Sequence, residues 1–521
     1  MKKPRRQGPG ILPPPLIPEC GKELSYLGRK RFDPFYGLKF LGEEGVRKIL
    51  ARENRYTESL LLRSPALEKD IARDLTREQE RSDLTWREGA FLYQVKRPHG
   101  KEFPVYFRRH LGAPSRARPD PVLDLNELAR GQKYFHAEEP TFSPDGSLLA
   151  VGIDFRGDER YRIIFKDLVR GVFLPDAIPN TYGGYGKAAW ANDNRTVCYT
   201  GYERKRIFRH RLGDNPGRDV LLYQEPDPGF RLALRRSASG RFIFLVSFSG
   251  HATEYRFLDA NRPGDKPRLL ERRRPSHDYY VDHAGPGFVI RSNAGAPNYR
   301  LLLASPENPG FPGWREWVPH HPGIYLEHFV AFRRFVVLSE RFRGRTRIRV
   351  LPFPGNGAPF PLKVPGEAYE LSLPRKCRQG YDSDRVPVRY ASFTVPPVLL
   401  EFPLRRKGAA SRLPGTESSR RYRTESIEVP VPGKIKVPVS LVYRRGIARD
   451  GRNPVLLYGS GSYGEPMDPG FHPGLRALLD RGFIYGIAHV RGGGEFGPAW
   501  FKGGRLLRKK NSFTDFIACA E

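Results

Sequence analysis

Phe142-Ser-Pro-Asp-Gly-Ser-Leu-Leu-Ala-Val151 reads as a tight turn feeding a strand, because Pro, Asp and Gly punctuate the chain and the apolar run behind them is short. The pattern returns at Asn192-Asp-Asn-Arg-Thr-Val-Cys-Tyr199, Ser239-Gly-Arg-Phe-Ile-Phe-Leu-Val246, Gly285-Pro-Gly-Phe-Val-Ile290 and Arg333-Arg-Phe-Val-Val-Leu338. With Asp145, Asp193, Ser239, Pro286 and Arg333 as markers, the intervals are 48, 46, 47 and 47 residues. Weaker copies at Gly89-Ala-Phe-Leu-Tyr93 and Arg389-Tyr-Ala-Ser-Phe393 flank the series at 56 residues each. That makes about seven units of about 40 to 50 residues, the length of a four-stranded propeller blade. A seven-bladed β-propeller over residues 84–406 is the reading. The alternative, a β-sandwich, has no reason to space its turns so evenly.

Downstream, residues 407–423 are polar and rich in Arg and Ser, as a linker would be. Residues 424–521 change texture. Glu425-Ser-Ile-Glu-Val-Pro-Val431 and Lys436-Val-Pro-Val-Ser-Leu-Val-Tyr443 form a strand pair around Pro432-Gly433. Pro454–Tyr458 and Phe483–Val490 are short apolar runs expected to be buried strands of a parallel sheet, with a helix between them over Pro473–Arg481. Each run ends in a glycine turn, Tyr458-Gly-Ser-Gly-Ser-Tyr-Gly464 and Arg491-Gly-Gly-Gly-Glu-Phe-Gly497, where an α/β sheet gathers its ligands and catalytic groups. Ser512–Glu521 closes the sequence as an amphipathic helix.

Upstream, a proline-rich arm passes into a charged segment from Gly42 to Arg81 in which Val46, Ile49 and Leu50 recur at helical spacing. Residues 1–83 are therefore expected to be an arm and helical segment packed on another domain. The basic start, Met1-Lys-Lys-Pro-Arg-Arg6, is interrupted by Pro13–Pro15 and Pro18 where a signal peptide needs its apolar stretch, and no run approaches the about 20 apolar residues of a membrane span. Cys20, Cys198, Cys377 and Cys519 are too scattered for a disulfide framework or a CxxC metal site, so a reducing, cytoplasmic setting is expected. Lys and Arg number 89 against 57 Asp and Glu, a formal charge of +32. The excess is spread along the chain with no zinc-finger or RNP-type motif, so it reads as a solvated surface and no nucleic-acid partner is expected.

Gly492-x-Gly494-x-x-Gly497 matches the dinucleotide fingerprint, but it does not lie in the first βα turn of its domain, and Asp515 falls in a helical segment instead of ending a second strand. An α/β-hydrolase is the better fit, with a glycine turn supplying oxyanion donors ahead of a G-x-S-x-G elbow. No G-x-S-x-G occurs in the sequence. Ser462, in Ser460-Gly-Ser-Tyr-Gly464, comes nearest, and Pro466 and Pro469 stand where the elbow needs a helix.

Val455-Leu-Leu-Tyr-Gly-Ser-Gly-Ser-Tyr-Gly464, Leu478-Leu-Asp-Arg-Gly-Phe483, His489-Val-Arg-Gly-Gly-Gly-Glu495 and Lys509-Lys-Asn-Ser-Phe513 together resemble the prolyl oligopeptidase family, closest to its oligopeptidase B branch. The resemblance implies a propeller joined to an α/β-hydrolase domain, no cofactor or metal, and a serine peptidase that cuts short peptides after Lys or Arg while the propeller keeps folded proteins out. It also implies that the first glycine turn should read Tyr-Gly-Tyr-Gly, with the second tyrosine donating to the oxyanion; here that position is Ser460. Tyr463 and Glu495 are the candidates for substrate cleft or domain interface. Tyr463 is expected to pack, and Glu495 to stand solvated unless it meets a basic group across the interface. The family's nucleophile, its acid and base and the acidic residues that read a basic side chain match no residue here, so the expectation is an incomplete α/β-hydrolase domain, catalytically silent by itself. The alternative is an inactive propeller that binds peptides or proteins.

Overall fold

The computed structural model describes residues 12–15, 20–61, 64–76, 84–98, 100–114, 116–183, 188–364, 366, 368–373, 380–405, 420–448 and 450–521. The chain divides into two compact units, Met1–Glu78 and Gln79–Glu521.

The first unit holds a hairpin, Lys22–Tyr26 with Arg29–Asp33, and two helices, Glu43–Leu60 and Pro65–Thr76. The longer helix starts on Glu43 and Glu44, whose charges suit its amino terminus and pair with Arg47 and Lys48 one turn on. Val46 and Leu50, on its apolar stripe, are 40% and 55% exposed.

In the second unit, seven consecutive antiparallel sheets occur among the described residues, spanning Leu84–Asp124, His136–Tyr182, Ala189–Gln224, Arg231–Glu271, Tyr279–Val318, Ile324–Pro361 and Glu370–Pro403. These are the propeller blades. The five regular markers all sit in the turn between a blade's first and second strands. The repeat has a physical cause beyond turn-making: each turn is tied to a later blade, the next one in every case but that of Gly285, which reaches the seventh. Asp145 N donates to Asn194 Oδ1 at 3.0 Å, Asn192 Nδ2 to Gly240 O at 3.2 Å, and Ser239 Oγ lies 2.8 Å from His283 Nδ1. Gly285 N donates to the Tyr381 hydroxyl at 2.9 Å, and Arg333 N to Tyr381 O at 2.9 Å. Within the turn, Asp145 accepts from Ser143 Oγ and Ser147 N. Burial works against the charge of its carboxyl, but these bonds outweigh it and hold the group below the usual range.

Of the two weaker repeat copies, one holds and one is corrected. Gly89 does occupy the corresponding turn of the first blade, with a positive φ of 56°. Arg389 does not; it lies inside the strand Arg385–Ser392. Its blade's turn includes Gly380, which restores the even spacing and explains the anomalous last interval. Most of the expected linker, 407–423, lies outside the described residues, and the next strand already begins at Tyr422. Cys20, Cys198 and Cys519 are free; Cys377 is outside the described residues.

The carboxyl-terminal sheet runs in the order Tyr422–Val431, Ile435–Arg444, Ile484–Ala488, Val455–Tyr458. The first two pairings are antiparallel and the last is parallel. One face packs Val437, Ala488 and Val490 against Trp500, Phe516 and Cys519; the other packs Tyr422, Val442 and Ile487 against Leu475 and Leu479, with Ala368 and Phe393 from the last blade. The expectation that Val455–Tyr458 is buried is corrected: it is the sheet's edge, and Val455, Leu456 and Tyr458 are 57%, 44% and 46% exposed.

Candidate functional site

The two glycine turns pack backbone against backbone. A Cβ on Gly492 (φ +99°) would lie 2.0 Å from Gly461 O, and one on Gly494 would lie 2.2 Å from Gly464 O, so no other residue fits either position without displacing the opposite turn. Gly464 N donates to Gly492 O at 3.0 Å. These glycines serve turn-to-turn approach, which removes the reason for a phosphate-cradling reading. Asp515 is likewise engaged: fully buried, it takes Arg491 Nε at 2.8 Å and Nη2 at 2.6 Å, and the pairing lifts the guanidinium above its usual pKa. Pro498 does start a helix, Pro498–Gly503, as expected.

Ser460 is exposed at the mouth of the first turn. Ser462 is held at 2.9 Å by Lys509 Nζ, which also donates to Gly461 O. Tyr463 does not pack: it is 87% exposed with a φ of +60°, an unfavourable backbone for a bulky residue. Glu495 is not solvated either. It is 2% exposed, its Oε1 accepts from Met467 N at 3.0 Å, and it lies 3.6 Å from His489 Nδ1, a partner in its own domain. Its chain neighbour marks the interface instead: a Cβ on Gly344, at the tip of the sixth blade's Phe342–Arg345 hairpin, would meet the Phe496 ring at 3.2 Å and Pro438 at 3.7 Å.

Sequence reasoning missed the strongest contact there. Arg341, 4% exposed, reaches out of the sixth blade to Asp468 through Nη1 at 2.9 Å and Nη2 at 2.6 Å, while its Nε donates to Glu327 at 2.6 Å. Burial opposes the charge, but the two carboxylates outweigh it and raise the guanidinium's pKa. In the sequence, Arg341 is one of a run of arginines between 341 and 349, with nothing to mark its partner. Between that hairpin and the carboxyl-terminal sheet lies a cavity of about 490 Å³, walled by Arg343, Arg345 and Tyr369 from the propeller and by Ser440, Asp468 and His489 from the sheet side. The site can therefore admit a small or extended ligand between propeller and sheet.

The sixth blade's hairpin meets the second of two interlocked glycine turns at the end of an α/β sheet, an architecture of the propeller-plus-hydrolase class. Residues 19–409 match the family described as prolyl oligopeptidase, N-terminal beta-propeller domain, and residues 470–521 match the prolyl oligopeptidase family proper. The chain belongs to the prolyl oligopeptidase family of serine peptidases. It is 34% identical over 518 residues to dipeptidyl aminopeptidase BI of Pseudoxanthomonas mexicana, covering 94% of this chain and 70% of that protein. To protease 2 of Moraxella lacunata it is 31% identical, covering 95% and 72%. Oligopeptidase B from Trypanosoma brucei, solved in a closed form with covalently bound antipain, superposes with a TM-score of 0.82 at 28% identity, over 97% of this chain and 76% of that one.

Proposed function

We propose that the chain forms the gate and the oxyanion side of a serine oligopeptidase that cleaves short peptides, after Lys or Arg, and that the nucleophile is not among its 521 residues. The observation that carries this reading is the cavity itself. Its roof is a propeller hairpin and its floor the hydrolase sheet, so a substrate has to be thin enough to enter between them. The relatives' names support the peptide class, and the covalent antipain in the trypanosomal enzyme supports a covalent mechanism there. The absence of any G-x-S-x-G supports placing the nucleophile elsewhere. In this reading Ser460, with no phenol to offer, removes one oxyanion donor, a loss that typically costs about 10² to 10³ in rate. Tyr463, exposed beside the turn, is a candidate to line the cleft. The setting is cytoplasmic, and the partners are short peptides and not nucleic acid.

A second reading is an inactive peptide- or protein-binding module, and Ser460 favours it. Sequencing the gene through and beyond the codon for Glu521 separates the two. An open frame leading within about 20 to 30 residues, one further helix-and-strand step of an α/β sheet, into a G-x-S-x-G elbow supports the peptidase; an immediate stop leaves the binding module.

A further inference from the structure

The sheet face that meets the propeller changes character along its length. Tyr422 and Val442 are packed in apolar surroundings, but Ser426, Pro438 and Ser440, on the same face two and four residues away, look into the cavity. Ser440 Oγ lies 2.8 Å from His489 Nε2, and His489 Nδ1 lies 3.6 Å from Glu495 Oε1. All three side chains are buried. Hydroxyl, imidazole and carboxylate thus stand in the order that activates a nucleophilic serine, and such a constellation is recognised by geometry and roles, not by position in the sequence. Two atoms of the relay, His489 Nδ1 and Glu495 Oε2, are buried without a hydrogen-bond partner. A purely structural Ser–His bond would leave that end of the ring unexplained. For Nε2 to accept the Ser440 proton, the ring's own hydrogen already sits on Nδ1 facing the carboxylate, and the positive charge gained on proton transfer draws that contact in, since hydrogen bonds that are long at rest tighten in the reacting state.

We propose that Ser440 is an activated serine, with His489 as its base and Glu495 as the group that orients and neutralises the imidazolium, and that the cavity exposes it to small esters and phosphonyl compounds. Ser440 Oγ forms the bond to carbon or phosphorus, its proton passes to His489 Nε2, and the leaving alcohol or fluoride departs with that proton. Arg343 and Arg345 line the same cavity and make it electropositive, which favours an oxyanion formed inside it. The Ser440 backbone lies in the sheet, paired with Ser426 and Ile487, so no backbone oxyanion hole forms around it and the acyl or phosphonyl adduct turns over slowly. This site is separate from the peptidase reading above and does not rest on it.

The test is a small fluorophosphonate added to the purified 521-residue chain, followed by intact mass and tryptic mapping. Cleavage after Lys436 and Arg444 isolates Val437–Arg444, whose hydroxyls are Ser440 and Tyr443. The expected result is one phosphonyl group on that peptide, abolished by Ser440→Ala and slowed about a hundredfold by His489→Asn and about tenfold by Glu495→Gln, the scale of general-base catalysis. Chain unfolded in urea, carried as a control, should not label. A folded chain that labels only at Ser462, or not at all, overturns the proposal, and so does one that labels Val437–Arg444 equally fast when unfolded or when carrying His489→Asn. Failure to cleave peptides bears on the peptidase reading alone.

Discussion

Gly492 carries the closest backbone approach in the site, and its replacement by Ala combines a steric conflict at 2.0 Å with a φ of +99°. Overpacking and left-handed strain together should cost about 3 kcal/mol, read as a lowered urea midpoint with an unchanged slope; a neutral Gly492→Ala would mean that the turns are not locked together. His283 gives the clearest pH signature. Burial, with Arg241 nearby adding to it, pushes its pKa down from 6.5 to about 4. The unfolded chain therefore takes up a proton that the folded chain refuses. This penalty is absent above pH 6.5, grows as pH falls, and is complete near pH 4, where it reaches about 3 kcal/mol. His283→Gln should flatten the stability profile between those limits, as followed by urea titrations at stepped pH.

Among the elements, the sixth blade's hairpin matters most, because it brings a buried cation to the carboxyl-terminal sheet's loops. Arg341→Met leaves Asp468 and Glu327 facing each other's charge without the guanidinium between them and should destabilise the chain by about 3 kcal/mol. Asp468→Asn in the same chain should return part of that loss, and a double-mutant cycle with no coupling would contradict the clamp. The repeats show what the sequence could and could not reveal at this level. Turn chemistry at Asp145, Asp193 and Ser239 is local, so it was legible, and so were the strands and helices around the glycine turns. The marker failed only at the last blade, where Arg389 looked like a turn but lies in a strand. Pairing across hundreds of residues leaves no local mark. Arg341 with Asp468, and Ser440 with His489, became visible only in three dimensions, and the burial of Glu495 depends on Met467 and His489 folding over it.

For the whole molecule, propeller and sheet enclose one cavity, and the chemistry depends on what meets it. The positive charge, +32 over the chain, opposes the approach of basic peptides. A preference for Lys or Arg therefore has to come from acidic groups close to the reacting bond, and Asp468, already neutralised by Arg341, does not supply one. The peptidase account is tested most directly by incubating the purified 521-residue chain with a dibasic fluorogenic peptide. The account predicts no turnover at any enzyme concentration, with Ser440 adducts confined to small reagents; multiple turnovers that vanish on Ser462→Ala would contradict it and make the first glycine turn, with Lys509 beside it, the seat of catalysis.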